Sequence, residues 1–231
     1  MAALTVMLAS LALAAAPAAP ALEGLRASLS DARAGDWVTY AFQGGSPRQR
    51  GAWRIAVVEE TRDAQGREAL WVEMELGTDG ALQAPLLQAR MRVAREQGAQ
   101  PAVSALYLAI GLEPLREVDP GSLEDLFPAE AVAGTPPLPG VEIHHRAPHM
   151  LATAAGDLVV HELEVRARGI VVQRVAWSAQ VPVLGLARWE VPAVAHKLEV
   201  SDFGSGATAR IRLPDSPTPL LNVVERRGAS P

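Results

Sequence analysis

The chain has 231 residues, a formal net charge of −5 and no cysteine. Lacking cysteine, it has no disulfide, no zinc–thiolate centre and no lipid-anchoring thiol. Lys197 is the only lysine and the arginines form no dense patch, which excludes the clustered positive field that nucleic-acid backbones require.

From the N-terminus, Leu4 to Ala16 is an uncharged run rich in Leu, Ala, Val and Met, closed by Pro17 and Pro20 before the first charge at Glu23. It is too short to span a bilayer comfortably, and Ala19-Pro20-Ala21 fits the small-x-small pattern of a secretory signal cleaved after Ala21. The segment before it, Met1 to Ala3, lacks the usual positive charge. No transmembrane segment is expected in the mature chain, which is read as periplasmic or secreted.

Leu22, Leu25 and Leu29 recur at helical spacing and predict a short helix ending before Gly35. Three alternating runs follow. Val38, Tyr40 and Phe42 share one face, as do Trp53, Ile55 and Val57, and Leu70, Val72, Met74 and Leu76 alternate with Trp71, Glu73 and Glu75. They predict an antiparallel meander with one buried face and one wet face, so Glu73 and Glu75 are expected in water. Leu87, Ala89, Met91 and Val93 predict a fourth strand. At Pro101 the pattern changes: Val103, Leu106, Tyr107 and Ile110 follow i, i+3, i+4, i+7, which predicts a helix, and Asp119 to Phe127 predicts a second, shorter one.

The segment from Ala133 to Gly140 is rich in Pro and Gly and reads as a loop. Strands are then predicted over 141–146, 150–153, 157–168, 170–177, 186–191 and 196–203, with a last strand over 207–213 and a Pro-rich tail over 214–231. Val181-Pro182 and Gly185 reverse the chain between the strands that carry Trp177 and Trp189. The fold class is mainly β, in the α+β sense: one domain over 22–213, a curved antiparallel sheet or half-barrel with two short helices, about 100–128, as a lid.

Catalytic motifs are missing, so no catalytic residue and no cofactor is expected. Gly204-Ser205-Gly206 is not a nucleophile elbow, and no nucleotide-binding loop occurs. His144, His145 and His149 are close in sequence, which is the basis of a histidine-metal hydrolase reading. On a strand, however, His144 and His145 point to opposite faces, and no metal site is expected. Glu162 and Glu164 share one face of a strand. Arg90, Arg92 and Arg95 form a row suited either to an anionic head group or to solvent.

The signal-like run, the segment Gly35 to Tyr40, the meander, the predicted mid-chain helices and the stretch Trp177 to Gly185 together resemble the LolA-like superfamily of bacterial envelope proteins. The resemblance implies a curved sheet with helices over an apolar cavity that holds a lipid or lipoprotein acyl chain, without catalysis. It also implies a strand arginine that tethers the lid, for which Arg54, Arg90 and Arg92 are candidates. The expected cavity lining is Tyr40, Phe42, Val72, Met74, Met91, Val103, Leu106, Tyr107, Ile110 and Phe127. The alternative is an envelope interaction protein with a fully packed core, no ligand and a protein partner.

Overall fold

The computed structural model describes residues 31–44, 50–78, 82, 85–95, 103–119 and 140–215. Twelve strands form one antiparallel sheet, and the only other regular element among the described residues longer than one residue is a 3-10 turn, Pro192–Val194. The strands are β1 (Trp37–Gln43), β2 (Arg50–Arg62), β3 (Glu68–Thr78), β4 (Leu87–Ala94), β5 (Val103–Ile110), β6 (Arg116–Val118), β7 (Val141–His145), β8 (His149–Thr153), β9 (Gly156–Ala167), β10 (Ile170–Trp177), β11 (Leu186–Val191) and β12 (His196–Gly204). Their order across the sheet is β6-β5-β4-β3-β2-β1-β12-β11-β10-β9-β7, and β8 also pairs with β9.

The sheet is therefore two meanders zipped together where β1 meets β12. Neighbours in each meander follow in sequence except β9 and β7, which have β8 between them in the chain, and the β1–β12 seam joins the two ends of the described sheet sequence. The sheet is curved and unclosed. Irregularities in register at Thr39/Tyr40, Val57/Glu59 and Arg92/Val93 add local twist, which bends a long sheet around its apolar face. That face carries the main core, with Val38, Tyr40, Ile55, Val57, Leu70 and Val72 packed with Leu158, Val160, Leu198 and Val200 from the other meander.

One glycine is dictated by this packing. Gly51 lies opposite Phe42 in the β1–β2 register, and a Cβ there would run into the Phe42 ring and the carbonyl of Gly77. The connection between β10 and β11 is also part of the core. Ser178 N–H donates to the Gly185 carbonyl at 2.8 Å, and Val181 and Val183 turn inward, both almost fully buried. Val183 sits at φ 68°, a strained conformation for a β-branched residue, held by its burial.

Two expectations are corrected. The run Val103–Ile110 is strand β5, because it forms a seven-pair ladder with β4, from Val93↔Val103 to Leu87↔Ile110. Its residues satisfy helical spacing, yet Leu106, Leu108 and Ile110 also satisfy the two-residue period, and backbone pairing with a neighbouring strand decides between them. The segment 207–213 is extended but joins no ladder; its backbone bonds to side chains of the sheet. The 1–21 signal segment, most of the predicted N-terminal helix, the second lid helix beyond Asp119, most of the Pro-rich loop and the tail after Asp215 lie outside the described residues.

Candidate functional site

Register places the predicted lining residues. One row of the apolar face runs Tyr40, Trp53, Leu76, Leu87, Ile110; the next runs Val38, Ile55, Met74, Ala89, Leu108; a third runs Val57, Val72, Met91, Leu106, Val118. Tyr40 and Val72 are buried in the main core, with Phe42, Met74, Met91 and Val103 partly covered against it. Leu106 belongs to a smaller cluster with Ala89 and Val118, where Met74, Met91, Leu87 and Leu108 remain partly exposed. Ile110, at the outer end of its row, is 44 % exposed. Burial thus fades from β1 toward β5 along the row that ends at Ile110, whereas Leu106 and Val118 in the third row are buried. Phe127 lies outside the described residues.

Tyr107 is placed apart from the others. It alternates with Leu106, so it stands on the opposite face, its ring 6.3 Å from Trp71. The Tyr40 hydroxyl has no hydrogen-bond partner, and burial pushes its phenol well above the ordinary tyrosine value.

The opposite face of β1–β4 is charged but not wet, which corrects the expectation for Glu73 and Glu75. Glu73 is fully buried and Glu75 nearly so. One cross-strand row reads Thr39, Arg54, Glu75, Gln88, and the next reads Ala56, Glu73, Arg90, Tyr107. Opposite charges thus face each other on adjacent strands, the sheet equivalent of a helical ion pair. The cover is the segment after β12. Glu73 accepts the backbone N–H of Arg210 at 2.9 Å and of Ile211 at 3.1 Å, and Arg90 donates to the Ile211 carbonyl at 2.8 Å. Ala207 N–H donates to the Gly35 carbonyl at 2.8 Å, fixing the start of this strap.

Arg54 and Arg210 both donate to the same oxygen of Glu75, each at 3.3 Å. The Arg54 guanidinium also lies 5.9 Å from the centre of the Trp37 ring. Burial, and then the nearby positive charge of Arg210, hold Arg54 below its ordinary value against the pull of Glu75. Beside this network is a cavity of about 820 Å³ bounded by Trp37, Thr39, Arg54, Glu75, Gln88 and Arg210, among others. None of the nine predicted lining residues that the structure describes borders it.

Each arginine of the row is engaged by groups of the protein itself. Arg90 lies 5.1 Å from the Trp71 ring centre and pairs with Glu73, Arg92 donates to Ser104 at 2.8 Å, and Arg95 is held by the Ala32 carbonyl and Glu60. Sequence reading missed the strap because the atoms it joins are 137 and 138 residues apart. The legible signal was the match of Arg54, Arg90 and Arg92 on the strands flanking Glu73 and Glu75.

In the second meander, Glu162 and Glu164 are also buried on one face, capped by Arg146, Arg166 and Arg174. The hydrogen bond from Arg166, which outweighs the cost of burial, holds the Glu164 carboxyl below its ordinary value. His144 Nε2 contacts Glu142 at 3.0 Å and His149 Nε2 lies 3.5 Å from Glu162. Among the described residues no group of three His, Asp or Glu is arranged to hold a metal ion, so the metal-hydrolase reading has no ligand set there. No helix among them is long and apolar enough to cross a membrane.

No family model matches the sequence, and no curated protein matches it. Among solved structures, the chain is similar to MucB in complex with MucA(peri), at 14 % identity and TM-score 0.40, over 88 % of this chain and 62 % of that one. It is similar to a DUF1329 family protein from Desulfovibrio piger, at 8 % identity and TM-score 0.32, over 87 % and 95 % of the two chains. It is also similar to a domain assigned to outer membrane lipoprotein sorting in Vibrio parahaemolyticus, at 8 % identity and TM-score 0.34, over 80 % and 91 %. At these values the likenesses carry nothing about ligand or partner.

Proposed function

We propose that the protein is exported to the bacterial envelope and holds the acyl chain of a lipid or lipoprotein against the β3–β5 part of its apolar face, without catalysis. The observation that supports this reading is the set of half-covered apolar side chains at the β3–β5 part of that face. Tyr40, Val57 and Leu70 are sealed, Met74, Met91, Val103 and Leu108 are half-covered, and Ile110 is open. Covering apolar surface is worth about 25 cal/mol per Å², so these half-covered side chains gain by accepting an aliphatic chain. Two of them are methionines, whose unbranched side chains adapt to ligands of varied shape. The export part of the reading rests on the apolar run from Leu4 to Ala16 and the small residues up to Ala21.

The proposed lid of two helices is not retained, since the first of them is itself a wall of the sheet. Displacement of an environment-sensitive fluorophore by palmitate tests the reading. Leu108→Asp should weaken palmitate binding by about tenfold or more while circular dichroism stays that of the native sheet. Unchanged displacement in that variant would contradict it. A second reading, an envelope interaction protein that takes no ligand, is favoured by the complete packing around Tyr40. It gains if wild-type protein displaces no probe at all.

A further inference from the structure

We propose that the cavity on the charged face, bounded by Trp37, Thr39, Arg54, Glu75, Gln88 and Arg210, binds a phosphate-type oxyanion. This cavity lies across the sheet from the apolar face, so the inference is independent of the acyl-chain reading.

Among the described residues, the charged groups lining the cavity are Arg54, Arg210 and Glu75, two positive against one negative. Both guanidiniums reach the same Glu75 oxygen through Nη1, at 3.3 Å. One carboxylate oxygen therefore serves two cations, each of which has further N–H groups. Arg54 is built into the sheet: it is 8 % exposed, sits on the inner strand β2 and stacks near Trp37. Taking a guanidinium out of water is costly unless negative charge meets it, and Glu75 is shared. Arg210 arrives by a different route. Its backbone, with that of Ile211, is clamped by Glu73, while its side chain stays half-exposed at the rim. The strap, clamped through its backbone by Glu73, thus delivers a second cation to the cavity, where it shares Glu75 with Arg54.

The donor set suits a phosphate-type oxyanion. Two guanidinium forks, the Thr39 hydroxyl and the Gln88 amide line the cavity, and guanidinium forks match the spacing of phosphate oxygens. The volume of about 820 Å³ leaves room for an organic group attached to the phosphate, with the Trp37 ring as its apolar wall.

Calorimetric titration of the full chain with inorganic phosphate tests this directly. Saturable binding that weakens with added salt is expected. Arg210→Gln should weaken it about tenfold or more, because a charge-assisted contact is lost. Arg212→Gln, two residues on and paired with Asp215 in solvent, should leave it unchanged. Glu75→Gln should tighten it, since the competing carboxylate charge is gone; a purely structural role for Arg54 and Arg210 predicts no such gain. Sedimentation with phosphatidylglycerol vesicles separates the sources. Binding to vesicles alone, abolished by Arg210→Gln, identifies a lipid head group, and binding to inorganic phosphate identifies a soluble one. No binding to either, or binding indifferent to Arg210→Gln, overturns the proposal.

Discussion

The two faces of strands β1 to β4 are built from the same residues in alternation, yet they are held by different forces. On one face Val38, Ile55, Val57, Leu70 and Val72 pack into a core that any alternating apolar pattern would produce. On the other, Arg54, Glu73, Glu75 and Arg90 form an ion network that is just as buried, closed by a strap from the C-terminal end of the chain. The apolar face needs only exclusion of water, so it tolerates a gradient and can be left open at one end. The charged face needs every partner in place, because a buried charge left alone is strongly destabilising.

Substitutions on each face sharpen that contrast. The largest effect is expected from Glu73→Ala, which takes from Arg90 its buried carboxylate partner and removes the acceptor of two backbone N–H groups. Loss of one partner of a buried pair costs about 3–5 kcal/mol, read as a fall in the urea midpoint. A cost under about 1 kcal/mol would mean that the charged face is decoration, with the apolar core alone setting stability. Leu70→Ala, on the sealed apolar face, should cost about 2–5 kcal/mol by leaving a cavity. Tyr40→Phe, a few strands away, should be neutral or slightly stabilising, by up to about 1 kcal/mol, since it removes a buried hydroxyl that has no partner. A clear loss on that substitution would show that the hydroxyl is bonded in solution.

The smallest effect should appear as a pH dependence in the second meander. Glu164 is held below its ordinary value near 4.5 by Arg166 and Arg174. A depressed carboxyl contributes stability above its unfolded value, and that contribution is lost as pH falls through the folded one. Glu164→Gln should therefore be less stable than wild type at neutral pH, with the difference closing as the pH is lowered below about 4. A difference that stays constant on acidification would rule out the charged form of Glu164 as its source.

The apolar face was legible in the sequence because its signal is local. The alternation in Trp37–Gln43 and Glu68–Thr78 places each strand, and Pro192 and Gly185 mark turns where the chain does reverse. The stretch 170–203 was read almost residue by residue for the same reason. Val103–Ile110 was misread as a helix because its apolar residues satisfy both periods, and only the ladder with β4 separates them. The charged face failed differently. Alternation told which way Glu73 and Glu75 point, but their burial is created by Arg210 and Ile211, a contact that no local pattern records. Tyr107 was placed with Leu106 through the same helical reading, and the strand moved it to the other face.

Native mass spectrometry of protein purified from a membrane-containing host tests the central claim, that the open end of the apolar face holds an acyl chain. The account predicts added masses of fatty-acyl species on wild-type protein, removed by Leu108→Asp and retained in Arg210→Gln. Bare polypeptide mass across repeated preparations would contradict it.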